Sequence, residues 1–259
     1  MTYYSQFGED RFLMAFFGGD YRGQCVEVGA NDGVYGSTTL ALENAGWACT
    51  LVEPNPDLAR QLREKRVGTV MECAAGAEEG VASLYIASGA PHADGVSAIS
   101  SDEDAARQRI ETYGFQARRI EVPVRTIDSI LAESGVKPGI DFVSIDVEGH
   151  ELAALQGFDL AYWKPRILLI EDNSWFADET ITRYLAARLY VPFQRTGVND
   201  WYAHRDDRDL ASRANLRFYA WVRWATPMRQ RFEVAARGIV RTIESRLPAI
   251  KALRMRLRP

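Results

Sequence analysis

The first half of the chain alternates short apolar segments with polar, helix-forming ones, and this alternation constrains the fold more than any other feature. Residues 24–30, 48–55 and 68–75 are apolar runs typical of buried strands, and their starts are 24 and 20 residues apart. Helices are predicted between them at 37–46 and 56–65, from Ser/Thr capping residues before the first and Pro56 at the start of the second. This spacing predicts an α/β fold, a parallel sheet with helices on both faces.

The same pattern continues through the second half of the chain. Strands are predicted at 81–87, 140–147 and 164–173, and helices at 126–135, 151–158 and 181–189. Residues 190–205 place Gly-Val-Asn-Asp between two aromatic-rich runs, which predicts a β-hairpin. Residues 88–118 interrupt the pattern with a long polar stretch. We interpret this stretch as an insert or lid, because loops of this length are usually functional or mobile.

A glycine-rich turn follows the first predicted strand. Glu27, Gly29 and Gly33 form the pattern E-x-G-x-x-x-G, at the sheet edge where open α/β folds bind their ligands. Asn31 stands where a dinucleotide-binding turn needs its second glycine, which argues against an NAD-dependent oxidoreductase. Glu53 ends the second strand and is predicted to accept hydrogen bonds from ribose hydroxyls.

Several motifs in the right order resemble the FkbM family of S-adenosylmethionine-dependent methyltransferases. They are EVGANDGVYGSTTLALENAGW, LVEPNP, VRTIDSILAESG and IDFVSIDVEGHELAALQGF, and the resemblance covers roughly residues 4–206. It implies a class I methyltransferase (Rossmann-like) fold, a seven-stranded, mostly parallel sheet whose last strand is antiparallel. It also implies a methyl donor, S-adenosylmethionine, with the adenine near residues 73–75. The implied donor-binding residues are Glu27, Gly29, Asn31, Gly33, Glu53, Asn55, Ala74 and Asp146.

The stretch SIDVEGHE, residues 144–151, carries the candidate catalytic residues. The apolar strand before Asp146 delivers its carboxylate to the same sheet edge as Glu53. Methyl transfer to a hydroxyl needs a proton acceptor, and Asp146, Glu148 and His150 are the candidates. Glu148 and Glu151 also fall where a helix begins, so compensation of the helix dipole is an alternative role for both. His150 has the alternative of a structural hydrogen bond in the turn.

A metal is the second way to activate a hydroxyl. The next predicted strand ends in Glu171, Asp172 and Asn173. By its similarity to catechol O-methyltransferases, this arrangement implies a Mg²⁺ site formed by Asp146, Asp172 and Asn173. Oxygen ligands of this kind suit Mg²⁺.

The charge of the chain is distributed unevenly. The net charge is −4, but residues 221–259 hold ten Lys/Arg against two Glu. Because the family resemblance ends near residue 206, we predict a methyltransferase domain at 1–206 and a basic helical C-terminal extension at 207–259. Residues 232–243 place apolar side chains on one helical face. This face could pack on the body of the protein or on a second subunit, or it could contact an anionic membrane. Binding of nucleic acid is a third, disfavoured alternative.

The expected location is the cytoplasm, with attachment to the inner membrane surface as an alternative. The first residues lack the basic start and apolar segment of a signal peptide, and Cys25, Cys49 and Cys73 fit reduced core positions. The expected function is O-methylation of a sugar, glycan, glycolipid or glycosylated natural product. A membrane-associated donor-binding protein without turnover and an NAD-dependent oxidoreductase are the alternatives. The acceptor, the methylated position and the oligomeric state stay open.

Overall fold

The computed structural model describes residues 2–88, 97–99, 103–112 and 114–226. The strands in this part of the chain are β1 (Gln24–Val28), β2 (Ala48–Val52), β3 (Thr69–Met71), β4 (Ala74–Ala75), β5 (Gly80–Ser88), β6 (Ser97–Ile99), β7 (Gln116–Arg125), β8 (Phe142–Ile145), β9 (Ile167–Glu171), β10 (Tyr190–Thr196) and β11 (Asn199–His204). The helices are α1 (Glu9–Phe17), α2 (Leu40–Asn44), α3 (Pro56–Lys65), α4 (Glu103–Thr112), α5 (Ile127–Glu133), α6 (Glu151–Gln156), α7 (Leu160–Trp163) and α8 (Thr180–Ala186). A further helix, α9, includes residues 213–226.

A seven-stranded sheet forms the centre of the fold, with strand order β10-β11-β9-β8-β1-β2-β3. The strands from β9 to β3 run parallel, whereas β11 is antiparallel to β9 and forms a hairpin with β10. The predicted seven-stranded, mostly parallel sheet is therefore confirmed, and so is the hairpin at 190–205.

Helices cover both faces of this sheet, as the sequence predicts. Successive strand residues point to opposite faces, so each central strand contributes to two apolar layers. Val26 and Val143 belong to the layer that packs against α5, α6, α7 and α8. Cys25 and Phe142 belong to the layer on the other face, with α1, α2 and α3. All three cysteines are buried and free.

A second, four-stranded sheet has the strand order β4-β7-β5-β6, and the sequence pattern does not predict it. The predicted strand at 68–75 is wrong in one respect: it breaks after Met71, and Ala74–Ala75 pairs with β7 instead. β5 and β7 form a long antiparallel pair from Gly80 to Ser88. The apolar pattern could not reveal this break, because it depends on a partner strand about fifty residues away.

The predicted insert at 88–118 is described in part. It contributes β6, α4 and the start of β7, and Ile110 of α4 is buried against the second sheet beside Tyr85. Residues 89–96, 100–102 and 113 lie outside the described residues, so a role as a lid stays a prediction.

The predicted C-terminal extension includes α9, which Ser212 caps by accepting a hydrogen bond from the Asn215 N–H. The predicted amphipathic segment at 232–243 lies outside the described residues, and the domain boundary at 206 stays a prediction. In the part of the chain that the structure describes, no helix combines the length and apolar character needed to cross a bilayer.

Candidate active site

A cleft opens at the carboxyl ends of β1, β2 and β8, where ligands bind in open α/β sheets. Its lining brings together six of the predicted site residues: Gly29, Asn31, Glu53, Ala74, Asp146 and Glu148. Cys73 and Ala75 line the same cleft, beside Ala74. This cleft, the donor cleft, therefore collects residues that are far apart in sequence but lie at the same edge of the sheet.

Gly29 brings two strand ends together at the base of the donor cleft. Its φ is +87°, and a β-carbon at this position would overlap the backbone oxygen of Asp146. The Gly29 N–H donates to Val52 O at 2.9 Å, and the Asp146 N–H donates to Val28 O at 3.0 Å. Glycine is required here because any side chain would push the Asp146 backbone away from the end of β1.

Glu53 is a buried carboxylate in the wall of the donor cleft, with 4% of its surface exposed. One carboxylate oxygen accepts the Asn31 N–H and the other accepts the Asn55 N–H, both at 2.9 Å. Burial raises the pKa of Glu53 to about 7, although these two hydrogen bonds oppose the shift. A carboxylate has about four acceptor positions, so Glu53 can still accept bonds from ligand hydroxyls.

Glu27 does not reach the donor cleft, contrary to its predicted donor-binding role. Its carboxylate accepts hydrogen bonds from the Thr38 N–H at 2.7 Å and from the hydroxyls of Ser37 and Thr39 at 2.9 and 2.5 Å. Arg66 lies 3.6 Å away as a buried counter-charge. Glu27 is turned into the protein because its side chain falls on the face of β1 that α2 covers, and there it holds the segment before α2.

Gly33 and Asn55 also have structural positions outside the lining of the donor cleft. Gly33 has φ +78°, and a β-carbon there would overlap the Leu62 side chain of α3. Asn55 caps α3, since its side-chain oxygen accepts the Asp57 N–H at 3.0 Å. Neither residue lines the donor cleft, so the predicted contacts with a donor are not observed for them. Gly33 affects the cleft through its packing against α3, and Asn55 affects it through the hydrogen bond from its N–H to Glu53.

A second, larger cavity of about 530 Å³ lies beside the donor cleft, at the ends of β9 and β11. Gly149 lines this cavity and Glu148 lines the donor cleft, so the loop 146–149 lies between them. Glu148 has φ +56°, an uncommon backbone conformation that is concentrated at functional sites. The polar residues of the second cavity include Glu151, Glu171, Asn173, Asp178, Tyr202 and Arg223.

Asp146 and Glu171 form a carboxyl pair between the two cavities. Burial among the cleft walls and the negative charge of Glu171 raise the pKa of Asp146, although its side chain is accessible from the cleft. Burial and the charge of Glu148 likewise raise the pKa of Glu171. Carboxylate oxygens of the two residues lie within 4.8 Å of each other. Neighbouring carboxyls of this kind share a proton at neutral pH, because two adjacent negative charges repel each other.

Glu151 anchors the loop next to this pair. Its Oε1 accepts the Gly149 N–H at 2.9 Å and the Val147 N–H at 3.3 Å, and the residue is 7% exposed. This position at the first turn of α6 agrees with the helix-start alternative for Glu151. His150 is the N-cap residue of α6 and is not among the residues that line either cavity. Of the candidate proton acceptors, Asp146 and Glu148 face the donor cleft.

The implied metal set of Asp146, Asp172 and Asn173 is not assembled. The Asp172 carboxylate pairs with Arg195 at 3.0 Å and accepts the Ser174 N–H at 2.9 Å. Glu171 occupies the position beside Asp146 that was expected for Asp172: ligand atoms of Asp146, Glu151 and Glu171 lie within 4.8 Å of one another. The reason is strand register, since Ile145 pairs with Ile170 and the next residues along the two strands are Asp146 and Glu171.

A comparison with protein families gives one match over most of the chain. The model described as "Methyltransferase FkbM domain" matches residues 27–192. This range begins at Glu27 in β1 and ends in β10, so it includes the lining of the donor cleft and the loop 146–149. Asp200, Tyr202 and Arg223, which line the second cavity, lie beyond it. A search of curated proteins found no match to the chain.

Proposed function

The chain belongs to the FkbM methyltransferase family, and from this premise we propose that it transfers a methyl group from S-adenosylmethionine to a hydroxyl of a sugar or glycoconjugate. One observation carries the proposal: the donor cleft and the larger cavity meet at the Asp146–Glu171 pair. A site for two substrates needs two compartments that join where the chemistry takes place.

The donor cleft has the groups that an adenosine-containing ligand needs. Glu53 can accept hydrogen bonds from ribose hydroxyls, and the adenine would lie against Cys73, Ala74 and Ala75. The cleft alone, about 90 Å³, is smaller than a typical cofactor pocket, so donor binding requires it to widen along the sheet edge. When bound, S-adenosylmethionine would supply an electrophilic methyl group.

The second cavity supports a polyhydroxy acceptor. Its acids and amides, among them Glu171, Asn173 and Asp178, can accept or donate several hydrogen bonds to hydroxyl groups. The excess of carboxylates disfavours an acceptor with a phosphate or carboxylate at the reacting end, because like charges repel. A sugar hydroxyl is neutral and fits this lining.

The carboxyl pair is the proposed proton acceptor. As the new O–CH₃ bond forms and the S–CH₃ bond breaks, the acceptor hydroxyl loses its proton to the Asp146–Glu171 pair. The raised pKa of the pair matches this task, because a base with a pKa near the working pH accepts a proton most effectively. No metal is required in this proposal. Glu151, the third acid of the cluster, already has its Oε1 engaged by the Val147 and Gly149 N–H groups.

Calorimetric titration with S-adenosylhomocysteine tests donor binding. We expect wild type to bind and Glu53→Ala to lose at least about tenfold in affinity, since two or more hydrogen bonds to a charged group are removed. Glu72→Ala, an exposed acid that follows the neighbouring strand, is the matched control and should bind like wild type. No binding to wild type would refute the donor assignment, and would favour a different ligand for the family fold.

Turnover with a panel of glycan and glycolipid acceptors tests the reaction. Glu171→Gln should lower kcat by about 10²–10⁴ while leaving donor affinity unchanged, as expected for removal of a general base. Asp178→Asn, in the same cavity but outside the pair, should cost less than about tenfold. Activity should survive EDTA. Donor binding without turnover on any acceptor would favour the binding-protein alternative.

A further inference from the structure

Helix α9 presents an aromatic face to solvent. Phe218, Trp221 and Trp224 are 55%, 57% and 65% exposed. They are spaced three residues apart, which places them within about 120° of the helix circumference. The rings of Phe218 and Trp221 stack with centroids 6.0 Å apart. Three large exposed aromatic side chains on one helical face are unusual for a surface that meets only water.

The opposite face of α9 fixes the orientation of the helix on the body. Tyr219 is 4% exposed, and its ring meets Phe176 edge-on at 6.0 Å. Arg223, one turn later, forms an ion pair with Glu179. Because these contacts hold the inner face, the aromatic face points outward as a consequence of the fold.

Positive charge accompanies the aromatic face. Arg213 and Arg217 are exposed and lie on the same side of the helix as Trp221 and Trp224. Residues 227–259 follow α9 directly and contain nine Lys/Arg and two Glu, a net charge of +7 in a chain whose total is −4. An aromatic face that is joined to a basic segment complements a negatively charged, partly apolar surface.

We propose that the aromatic face of α9 docks on an anionic phospholipid bilayer. Trp side chains favour the region of lipid head groups, where the ring is buried and its N–H stays hydrated. Arginine beside them would meet the lipid phosphates. The charge also argues against two other occupants. The first is a second copy of the chain: on a two-fold axis it would bring Arg213 and Arg217 towards the same residues of its partner. The second is the chain's own segment 227–259, which carries charge of the same sign as this face and would be repelled by it.

The position of α9 connects this surface to the second cavity. Arg223, on the inner side of the helix, lines that cavity. A bilayer on the outer side would therefore lie next to the compartment assigned to the acceptor. It follows that the acceptor is carried by a membrane lipid, and this consequence rests on the proposed function. The proposal of the docking surface does not depend on that function.

Vesicle co-sedimentation of the full chain tests the proposal. We expect binding to phosphatidylcholine vesicles that contain phosphatidylglycerol, weak binding to phosphatidylcholine alone, and a loss of binding at high salt. The double variant Trp221→Ser/Trp224→Ser should bind roughly tenfold less tightly, because it removes two aromatic side chains from the lipid interface. Tyr162→Ser, which removes an aromatic residue that is 58% exposed on α7, should bind like wild type.

Quenching of tryptophan fluorescence by brominated lipids gives a second measurement, and it should be strong in wild type and weak in the double variant. Equal binding of the double variant and wild type would overturn the proposal, since the basic segment alone would then suffice. Absence of wild-type binding would overturn it too, as would a dimer that is lost in the double variant. Titration with S-adenosylhomocysteine in parallel separates this result from a failure of the donor assignment.

Discussion

Replacement of Arg66 by methionine should be one of the most costly single substitutions in this fold. The Arg66 side chain is fully buried between two carboxylates, Glu43 at 2.8 Å and Glu27 at 3.6 Å. It also donates to Gly33 O at 2.9 Å and to the Thr39 hydroxyl at 2.9 Å. Methionine fills a similar volume, so the main effect is electrostatic: two buried carboxylates lose their counter-charge.

The expected cost is about 3–5 kcal/mol, the range found when one partner of a buried ion pair is removed. This is a large part of the total stability of about 5–15 kcal/mol that is typical of a domain. Arg63→Met is the matched control. Arg63 pairs with Glu72 at 2.7 Å, as short as the contact of Arg66 with Glu43, but both partners are about half exposed. Such a surface pair contributes only about 0–1 kcal/mol.

Urea unfolding at pH 7, followed by circular dichroism, measures both variants. We expect Arg66→Met to lower the midpoint strongly with an unchanged slope, and Arg63→Met to leave it almost unchanged. Adding Glu43→Gln to the Arg66→Met variant should recover part of the loss, because it removes one of the two uncompensated charges. Equal effects of the two arginine substitutions would refute the reasoning, and would mean that water reaches Glu27 and Glu43 in the folded protein.

Three further predictions concern the donor cleft. Gly29→Ala should lower the free energy of unfolding, measured in urea, by at least about 2 kcal/mol. Gly36 also has a positive φ but has open space around it, so Gly36→Ala should cost only about 1 kcal/mol. Equal losses would contradict the overlap with Asp146. The pKa of Glu53 is raised to about 7, so wild-type stability should fall as pH rises from about 5 to 8, and Glu53→Gln should gain roughly 2–3 kcal/mol relative to wild type over that range; parallel pH curves would contradict this. The pKa of Asp146 is also raised, so wild type should again lose stability as pH rises, and Asp146→Asn should gain stability relative to wild type through neutrality. If the difference in stability between the two proteins does not change with pH, Asp146 does not share a proton with Glu171.

The sequence by itself determined the α/β class, the family and the approximate position of the site. The predicted helix 56–65 has the observed bounds, because Pro56 at its first position is a local signal. The hairpin at 190–205 was also recognised from local turn residues. The predicted convergence of Gly29, Glu53 and Asp146 is observed, because parallel strands bring their carboxyl ends to one edge of the sheet.

Only the tertiary structure decided which acid of a run faces which neighbour. Glu171, rather than Asp172, lies beside Asp146, because the register of β8 against β9 pairs Ile145 with Ile170. Glu27 likewise turns towards the segment before α2 instead of the donor cleft. A shift of one residue sends a side chain to the other face of a strand, and the register depends on packing between segments about 25 residues apart. The local pattern could therefore place each acid at the sheet edge, but it could not assign the direction in which each one points.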